Sequence, residues 1–406
     1  MDAYYTVVAL TAAVFVLFGA LSAPLERGPF TAPMLCVALG FAASRLVPGE
    51  LALAADSRVL AAIGEIALAI VLFTDAAGID RRALRGEWRL PVRLLAVGLP
   101  LTVLAGALAG ALFLPELAWA WLVVLAMILA PTDAALGIAT LRNEAVPQLV
   151  RDALNVESGL NDGLVLPPLL AALAFAAASA ASAATRESWI ATAAAELVVG
   201  AVIGLVFGQV AGRLLDAAWR RGWIEETYAR LLTPGLALLA FVLAHAIDSN
   251  GFVAAYVAGL TLAVRSSDLR KRLHAFGEAD GTQFSLFVFL LFGFAFLPAA
   301  LPHWDLRALA YALASLTVVR MLPVGLALLG ARLPLPSVLF IGWSGPRGIA
   351  SVLYVALVVD RFGFAGHERV FAVVVLTVLL SVILHGMTAA PLAVRYGRAT
   401  HARGRG

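Results

Sequence analysis

The sequence of 406 residues contains one cysteine, Cys36. A disulfide framework and a cysteine-based metal site are therefore excluded, and redox chemistry is not expected. The six histidines are scattered, with no i, i+3 or i, i+4 pair and no HExxH motif. No Gly-Lys-Ser/Thr sequence marks a nucleotide-binding loop. We therefore expect neither an enzyme nor a resident cofactor, and any energy that the protein uses should come from ion gradients.

Charged residues are also scarce, at 14% of the chain, whereas 62% of residues are hydrophobic and the mean hydropathy is +0.93. A soluble domain does not have this composition. Apolar windows of about 20 residues, each long enough to cross a hydrocarbon core of about 30 Å, recur along the whole chain. The sequence predicts an all-α integral membrane protein with about thirteen transmembrane helices. The windows cover residues 3–21, 30–47, 58–79, 91–113, 118–140, 154–182, 189–212, 231–247, 251–264, 282–301, 306–330, 336–359 and 369–394.

An odd number of crossings puts the two termini on opposite sides of the membrane. If the N-terminus is outside, most of the 29 lysine and arginine residues lie in cytoplasmic connections or in the C-terminal tail. The positive-inside rule therefore predicts a multi-pass protein of the cell membrane with its N-terminus outside and its C-terminus in the cytoplasm. Because this topology accounts for the basic pI of about 9.3, the expected surroundings are a lipid bilayer and not nucleic acid.

We expect residues 1–406 to form a single membrane domain without a soluble regulatory domain, because the loops are mostly short. No cleavable targeting sequence is evident, since residues 3–21 lack a basic start and run directly into further spans. Within the seventh span, Gly200, Gly204, Gly208 and Gly212 recur at every fourth position. This stripe predicts close helix packing, and a sliding surface between moving parts is the alternative.

Two spans contain helix breakers at membrane depth: Leu-Ala-Pro-Thr-Asp at residues 129–133 and Ser-Gly-Pro-Arg-Gly at residues 344–348. Proline removes an intrahelical hydrogen bond, and flanking glycine permits unwinding. Simple kinks are the alternative, but paired interruptions in two distant spans are typical of a transporter site. Unwound half-helices leave partial charges at their ends. Asp133 could neutralise the positive ends, and Arg347 or Arg320 the negative ends.

The stretch Glu157-Ser158-Gly159-Leu160-Asn161-Asp162-Gly163 places two carboxylates inside an apolar span. An ionisable group at bilayer depth costs roughly 2.5 to 3.5 kcal/mol, so such groups usually mark an ion or proton path. A structural ion pair is the alternative. Ser158 and Asp162 are four residues apart and share a helix face, whereas Glu157 is displaced by about 100°. Glu157 is the best partner for Arg320, because an isolated buried charge is too costly to persist.

Asp162 and Ser158 offer oxygen ligands of the kind that monovalent cations prefer, and carbonyls freed at the Pro131 break could complete the shell. A single carboxylate can hold a proton or a cation but not both. Combined with alternating access, this competition yields cation/proton exchange. Asn161 is neutral where a second aspartate would add another proton site, which favours one-for-one, electroneutral exchange.

These motifs resemble those of the NhaP-type sodium/proton antiporters, the electroneutral branch of the cation:proton antiporters that includes the animal sodium/proton exchangers. The resemblance covers essentially the whole chain and rests on motifs in the family's order. They are Pro131-Thr132-Asp133, Glu157-Ser158 through Asn161-Asp162, Arg320, and Gly345-Pro346-Arg347-Gly348. The residues that follow Asp133 depart from the family pattern, since Ala134 and Ala135 stand where many relatives have Pro and Val.

The resemblance implies a thirteen-helix NhaA/NhaP-like antiporter fold with inverted repeats and two broken crossing helices. It also implies a homodimer with interleaved dimerisation and six-helix transport subdomains, and an elevator-like movement. By the same likeness, Na⁺ or Li⁺ and H⁺ would share Asp162, with Ser158 and Thr132 as further ligands and Asn161 as part of the electroneutral pattern. Asp133 would support the crossing of the broken helices, and Glu157 would pair with Arg320.

The transported cation and the roles of several residues stay open from the sequence. Potassium/proton exchange is the nearest alternative, because Na⁺, Li⁺ and K⁺ use the same ligand chemistry; a cation channel is less favoured. Asp75, at the end of the third span, resembles a family stretch near the cytoplasmic mouth, but an interfacial cap explains it equally well. Four further ionisable residues at membrane depth have no assigned role. They are Glu65, Glu196, His245 and His385.

Overall fold

A computed structural model describes residues 30–46, 58–78, 88–133, 136–141, 143–178, 183–225, 228–262 and 281–403, with isolated residues 12, 16, 19, 20, 264, 266, 268, 269 and 273. Every regular element in these ranges is a helix, as the sequence predicts. The predicted first span, residues 3–21, lies outside the described residues except for four isolated positions.

Fifteen helices are numbered along the described part of the chain. They are α1 (Ala32–Leu46), α2 (Arg58–Ala77), α3 (Arg89–Phe113, with a π-helical turn at Leu94–Gly98), α4 (Trp119–Ile128), α5 (Ile138–Leu141), α6 (Gln148–Ala178), α7 (Ala183–Arg220), α8 (Leu232–His245), α9 (Gly251–Thr261), α10 (Gly281–Leu291, continued by a π-helical turn at Phe292–Phe296 and by Leu297–Ala300), α11 (Leu306–Leu316), α12 (Val318–Ala327), α13 (Leu335–Trp343), α14 (Ile349–Phe362) and α15 (Glu368–Arg403).

Seven helical segments of the described chain, some of which join consecutive numbered helices or short helical turns, are long and apolar enough to cross a membrane. They are Arg89–Phe113, Gln148–Ala177, Ala191–Arg220, Tyr228–His245, Phe284–His303, Leu306–Ala327 and Glu368–Thr400. Three more apolar helices are shorter, at Ala32–Arg45, Trp119–Ile128 and Gly251–Thr261. A helix needs about 20 residues to cross the hydrocarbon core, so these shorter ones do not reach that length individually. The membrane class of the protein agrees with the sequence, and the count of about thirteen crossings stays a prediction.

Both predicted interruptions are present. The fifth predicted span stops at Ile128 and resumes at Ile138, and the twelfth stops at Trp343 and resumes at Ile349. The predicted span over residues 306–330 is present as one apolar segment, Leu306–Ala327, but it contains an irregular turn that the sequence does not predict. The backbone leaves the helical region at Thr317, with φ −114° and ψ −94°, and the Thr317 hydroxyl donates to the carbonyl of Leu313 at 2.7 Å. Such back-bonding bends helices.

The chain divides into two compact units. The first comprises Met1–Ala62, Glu87–Ser158 and Ser285–Gly406, and the second comprises Ile63–Gly86 and Gly159–Phe284. A core of the first unit collects Leu94, Val150, Leu154, Ile341 and Tyr396 from four helices. The boundary between Ser158 and Gly159 falls inside α6, so this one continuous helix contributes residues to both units.

The glycine stripe of α7 lies in the second unit and serves close packing, as the sequence predicts. A Cβ added at Gly200 would lie 2.6 Å from the carbonyl oxygen of Asn250, and Gly204 and Gly208 face the carbonyls of Ala254 and Ala258 in the same way. The absence of side chains lets α7 approach the backbone of α9.

Candidate functional site

The two interrupted helices of the first unit meet at Asp133. Its backbone N–H donates to the carbonyl of Pro346 at 2.8 Å. Its carboxylate oxygen Oδ2 accepts the backbone N–H of Ile349 at 2.8 Å, and Oδ1 accepts that of Leu136 at 3.3 Å. The first N–H groups of a helix have no intrahelical acceptor, and an aspartate is a favourable cap for them. Asp133 therefore caps the start of α14 from across the crossing.

Arg347 caps the C-terminal end of α4. Its guanidinium Nη1 donates to the carbonyls of Ala130 and Pro131, which follow the last turn of that helix. A cation is favourable at a helix C-terminus, where carbonyls lack intrahelical partners. The hydroxyl of Ser351 donates to the carbonyl of Ile128 at 2.8 Å. The broken ends of the two helices are thus satisfied by each other's side chains.

The glycines of the second break leave room for these reciprocal contacts. A Cβ at Gly348 would overlap the carboxylate of Asp133, and one at Gly345 would lie 2.6 Å from Nε of Arg320. Real Cβ atoms do not make such contacts, so both positions exclude larger residues unless the neighbouring side chains move. Packing therefore requires glycine at both positions of the Gly-Pro-Arg-Gly sequence.

Glu157 and Arg320 form the ion pair that the sequence analysis expected. Oε1 of Glu157 lies 2.6 Å from Nη1 of Arg320, and the two side chains are 2% and 1% exposed. Arg320 follows the irregular turn at Thr317 by three residues, in the first turn of α12. Removal of one partner of such a pair leaves an uncompensated buried charge.

Two hydroxyl groups lie side by side in the same unit. Oγ1 of Thr132, at the first break, is 3.0 Å from Oγ of Ser158 on α6, and both residues are buried. Both are ligands by the family resemblance, and the sequence predicts Ser158 also from its spacing to Asp162. Their contact places two neutral oxygen donors together, next to the crossing that Asp133 and Arg347 hold.

Asn161 and Asp162 lie in the second unit, buried on the continuation of α6. Asp162 is four residues beyond Ser158 on this helix, so the two share its face. Within the unit, Gly163 faces the ring of Tyr256 on α9, and the Tyr256 hydroxyl donates to the carbonyl of Leu160 at 3.4 Å. Tyr256 thus fixes the backbone just before Asp162.

Asp75 is half-buried on α2, in the second unit. It interacts electrostatically with Tyr256, as Asp162 does. Both carboxylates therefore act on one tyrosine, and nothing in the sequence marks this tyrosine as part of the site.

Three residues whose roles the sequence leaves open, Glu196, His245 and Glu65, lie on α7, α8 and α2. The backbone carbonyl of Glu196 accepts from Ser249 and Asn250, and the imidazole of His245 stacks on Phe241 with ring centroids 6.2 Å apart. Glu65 is half-buried on α2. Across the described part of the chain, no group of three or more His, Cys, Asp or Glu side chains is arranged to hold a metal ion.

An all-helical membrane fold with two interrupted helices, whose ends are capped by opposite charges, is typical of a secondary transporter. The chain belongs to the sodium/hydrogen exchanger family: the family's transmembrane model matches residues 9–395. This is a family of multi-pass membrane transporters and not of enzymes.

The relatives and solved structures agree with this assignment. The K(+)/H(+) antiporter NhaP2 of Shewanella sp. (strain ANA-3) is 26% identical over 417 residues, which cover 97% of this chain and 67% of the relative. The Na(+)/H(+) antiporter NhaP of Pseudomonas aeruginosa is 27% identical over 352 residues, with 81% and 79% covered. The sodium proton antiporter MjNhaP1 from Methanocaldococcus jannaschii, at pH 8, matches with a TM-score of 0.77 at 21% identity, covering 98% of this chain and 100% of that one. The last match shows a shared fold.

Proposed function

We propose that the protein exchanges Na⁺ or Li⁺ for H⁺ across the cell membrane, one for one, with the cation and the proton competing for Asp162. The observation that carries this proposal is the helix α6. It holds Ser158 in contact with the Thr132 hydroxyl and carries Asp162 on the same face one turn later. Carboxylate and hydroxyl oxygens are ligands that hard cations prefer.

In this proposal Asp162 releases its proton when a cation binds and takes one up when the cation leaves. Thr132 and Ser158 supply neutral ligands, so Asp162 is the group whose charge changes. Asn161 adds no proton site beside it. The net charge of the loaded protein is then the same with either substrate, which makes the exchange electroneutral.

The remaining charges have structural roles in the same proposal. Asp133 and Arg347 neutralise the broken helix ends in both the cation-loaded and the proton-loaded states. Glu157 neutralises Arg320. Asp75 is the exception: it belongs to the ion route, and it acts electrostatically on Tyr256, as Asp162 does.

We further propose the assembly and movement that the family likeness suggests. In this proposal one membrane domain has about thirteen crossings with inverted repeats, and its N-terminus lies outside and its C-terminus in the cytoplasm. Two copies form a homodimer, and the transport part of each copy moves in an elevator-like manner. The support is the family membership together with the clustering of basic residues in alternate loops of the sequence.

Potassium/proton exchange is the second candidate, and the names of the relatives favour it specifically. The matched proteins include K(+)/H(+) antiporters as well as a Na(+)/H(+) antiporter. Both substrates use the same oxygen ligands and differ in size and dehydration cost.

The test is purified protein in liposomes that contain a pH-sensitive dye. A pH gradient is imposed, NaCl, LiCl or KCl is added, and the membrane potential is clamped at several values. Proton movement that requires Na⁺ or Li⁺ and is independent of potential is the expected result. A response to K⁺ alone would show that the transported cation is K⁺ and not Na⁺ or Li⁺. A cation flux that follows the membrane potential without moving protons would contradict exchange and favour a channel.

A further inference from the structure

Helix α15 presents a polar stripe to the second broken segment, residues 344–348. Ser381, His385 and Thr388 are spaced by four and three residues and so share one helix face. The stripe contacts the residues on both sides of the proline. The backbone N–H of Arg347 donates to Oγ of Ser381 at 2.6 Å, and the indole Nε1 of Trp343 donates to Oγ1 of Thr388 at 3.0 Å.

Ser381 and His385 are also joined to each other. Oγ of Ser381 lies 3.3 Å from Nδ1 of the imidazole, which stacks on the ring of Trp343 with centroids 4.8 Å apart. Nδ1 also lies 3.2 Å from the backbone carbonyl oxygen of Ser381. In one tautomer Nδ1 accepts the hydroxyl proton of Ser381, and in the other it donates a hydrogen bond to Ser381. The two residues are 0% and 3% exposed. In such surroundings consecutive hydrogen bonds reinforce one another, and a missing partner is costly.

Neighbouring residues of the segment that this stripe holds have contacts of their own, since the carbonyl of Pro346 accepts the Asp133 N–H at 2.8 Å and Gly348 packs against the Asp133 carboxylate. Residues 344–348 are not helical, so no helical ladder sets the position of the Arg347 backbone. The hydrogen bond to Oγ of Ser381 therefore sets the position of the Arg347 N–H itself.

We propose that Ser381 and His385 are positioning residues for the exchange. They hold the backbone of Arg347 at the point from which its guanidinium reaches the carbonyls of Ala130 and Pro131. A shift of that backbone would loosen the cap on α4 and with it the placement of Thr132. The inference rests on the proposed exchange function and extends it to two residues that touch neither the cation nor the proton.

Hydrogen–deuterium exchange of peptides covering residues 344–350 tests the contact without requiring transport. Ser381→Ala removes the acceptor of the Arg347 backbone N–H. Hydrogen–deuterium exchange of that amide should become about five- to tenfold faster. Ser381→Thr keeps the hydroxyl and should restore protection. Thr377→Val is the matched control, because the Thr377 hydroxyl is equally buried and donates only to Val373 of its own helix.

Transport kinetics then separate positioning from mere stability. Ser381→Ala and His385→Phe, which keeps a ring against Trp343, should each lower the maximal rate at least about fivefold and raise the half-saturating cation concentration more than about twofold, because the ligand Thr132 is displaced. Ser381→Thr should recover the rate. Unchanged amide exchange in Ser381→Ala, or a wild-type rate in both variants, overturns the positioning role alone. A wild-type protein with no exchange activity overturns the proposed function and this inference together.

Discussion

Asp133 and Arg347 cap each other's helices. The carboxylate of Asp133 accepts the backbone N–H of Ile349, two residues after Arg347, and the guanidinium of Arg347 donates to the carbonyls of Ala130 and Pro131, which precede Asp133. Each break thus supplies the counter-charge for the other, so the crossing is balanced with no bound ion. A transported cation can then leave without exposing uncompensated helix ends.

Asp133→Asn should fold and lose most of its transport, because the amide keeps an acceptor for Ile349 but not the negative charge. Asp133→Ala should in addition be destabilised by about 1 to 3 kcal/mol, since it leaves a buried N–H without an acceptor. Thermal unfolding and liposome exchange of both variants check this. Equal thermal stability of the alanine and asparagine variants would refute the capping role.

Glu157→Gln should destabilise the protein by roughly 3 to 5 kcal/mol, because Arg320 would keep a buried charge without its counter-ion. The double variant Glu157→Gln, Arg320→Met should recover much of that loss, since it removes both charges. A double-mutant cycle of unfolding free energies measures the coupling. Additive losses in the cycle would show that the 2.6 Å contact contributes nothing as a pair.

Gly163→Ala should destabilise the second unit by about 1 to 3 kcal/mol, because the added methyl group overlaps the ring of Tyr256. Gly235→Ala on α8 is the matched control. No atom lies within 4 Å of the position its methyl group would take, so higher helix propensity should leave stability equal or slightly raised. The same drop in melting temperature for both variants would argue against the Tyr256 contact.

Asp305, the residue that precedes α11, gives a pH-dependent prediction. Partial burial tends to raise its pKa, but the N–H of Ala308 and the guanidinium of Arg369 together hold the pKa below its usual value. The stabilisation is therefore present above the unfolded pKa of about 3.9 and is lost as pH falls through the lower folded pKa.

Asp305→Asn isolates this charge, because asparagine is also a good helix cap. The variant should melt at a slightly lower temperature than wild type at pH 7, by an amount equivalent to about 1 kcal/mol or less, since the pair with Arg369 is exposed. The difference should shrink below about pH 4. A difference that grows on acidification would contradict this sign.

The parts of the site that the sequence predicts are those with a local chemical cause. Pro131 and the glycines of residues 345–348 interrupt a helix, and a buried Arg320 needs a carboxylate, so both breaks and the pair with Glu157 follow from residue type. The contacts of Ser351 and Ser381 were not predicted. Hydroxyls in apolar helices usually bond to their own helix, as those of Thr102 and Thr377 do, and only the tertiary structure shows which ones reach across.

The count of membrane spans has a similar limit. A break divides an apolar window into pieces such as Trp119–Ile128 and Leu335–Trp343, each shorter than a membrane crossing. The hydropathy of the sequence therefore indicates the whole membrane-spanning segment, whereas the length of each separate helix does not.

The proposed exchange depends most on Asp162. The variant Asp162→Asn should be reconstituted in liposomes with an internal pH dye and tested with Na⁺, Li⁺ and K⁺. Its matched control is Asp152→Asn, which changes an aspartate ten residues earlier on the same helix. We expect Asp162→Asn to insert and fold normally but to show no cation-dependent proton movement, and Asp152→Asn to keep wild-type exchange. Cation-dependent proton movement in Asp162→Asn would contradict the central claim that cation and proton compete for this carboxylate.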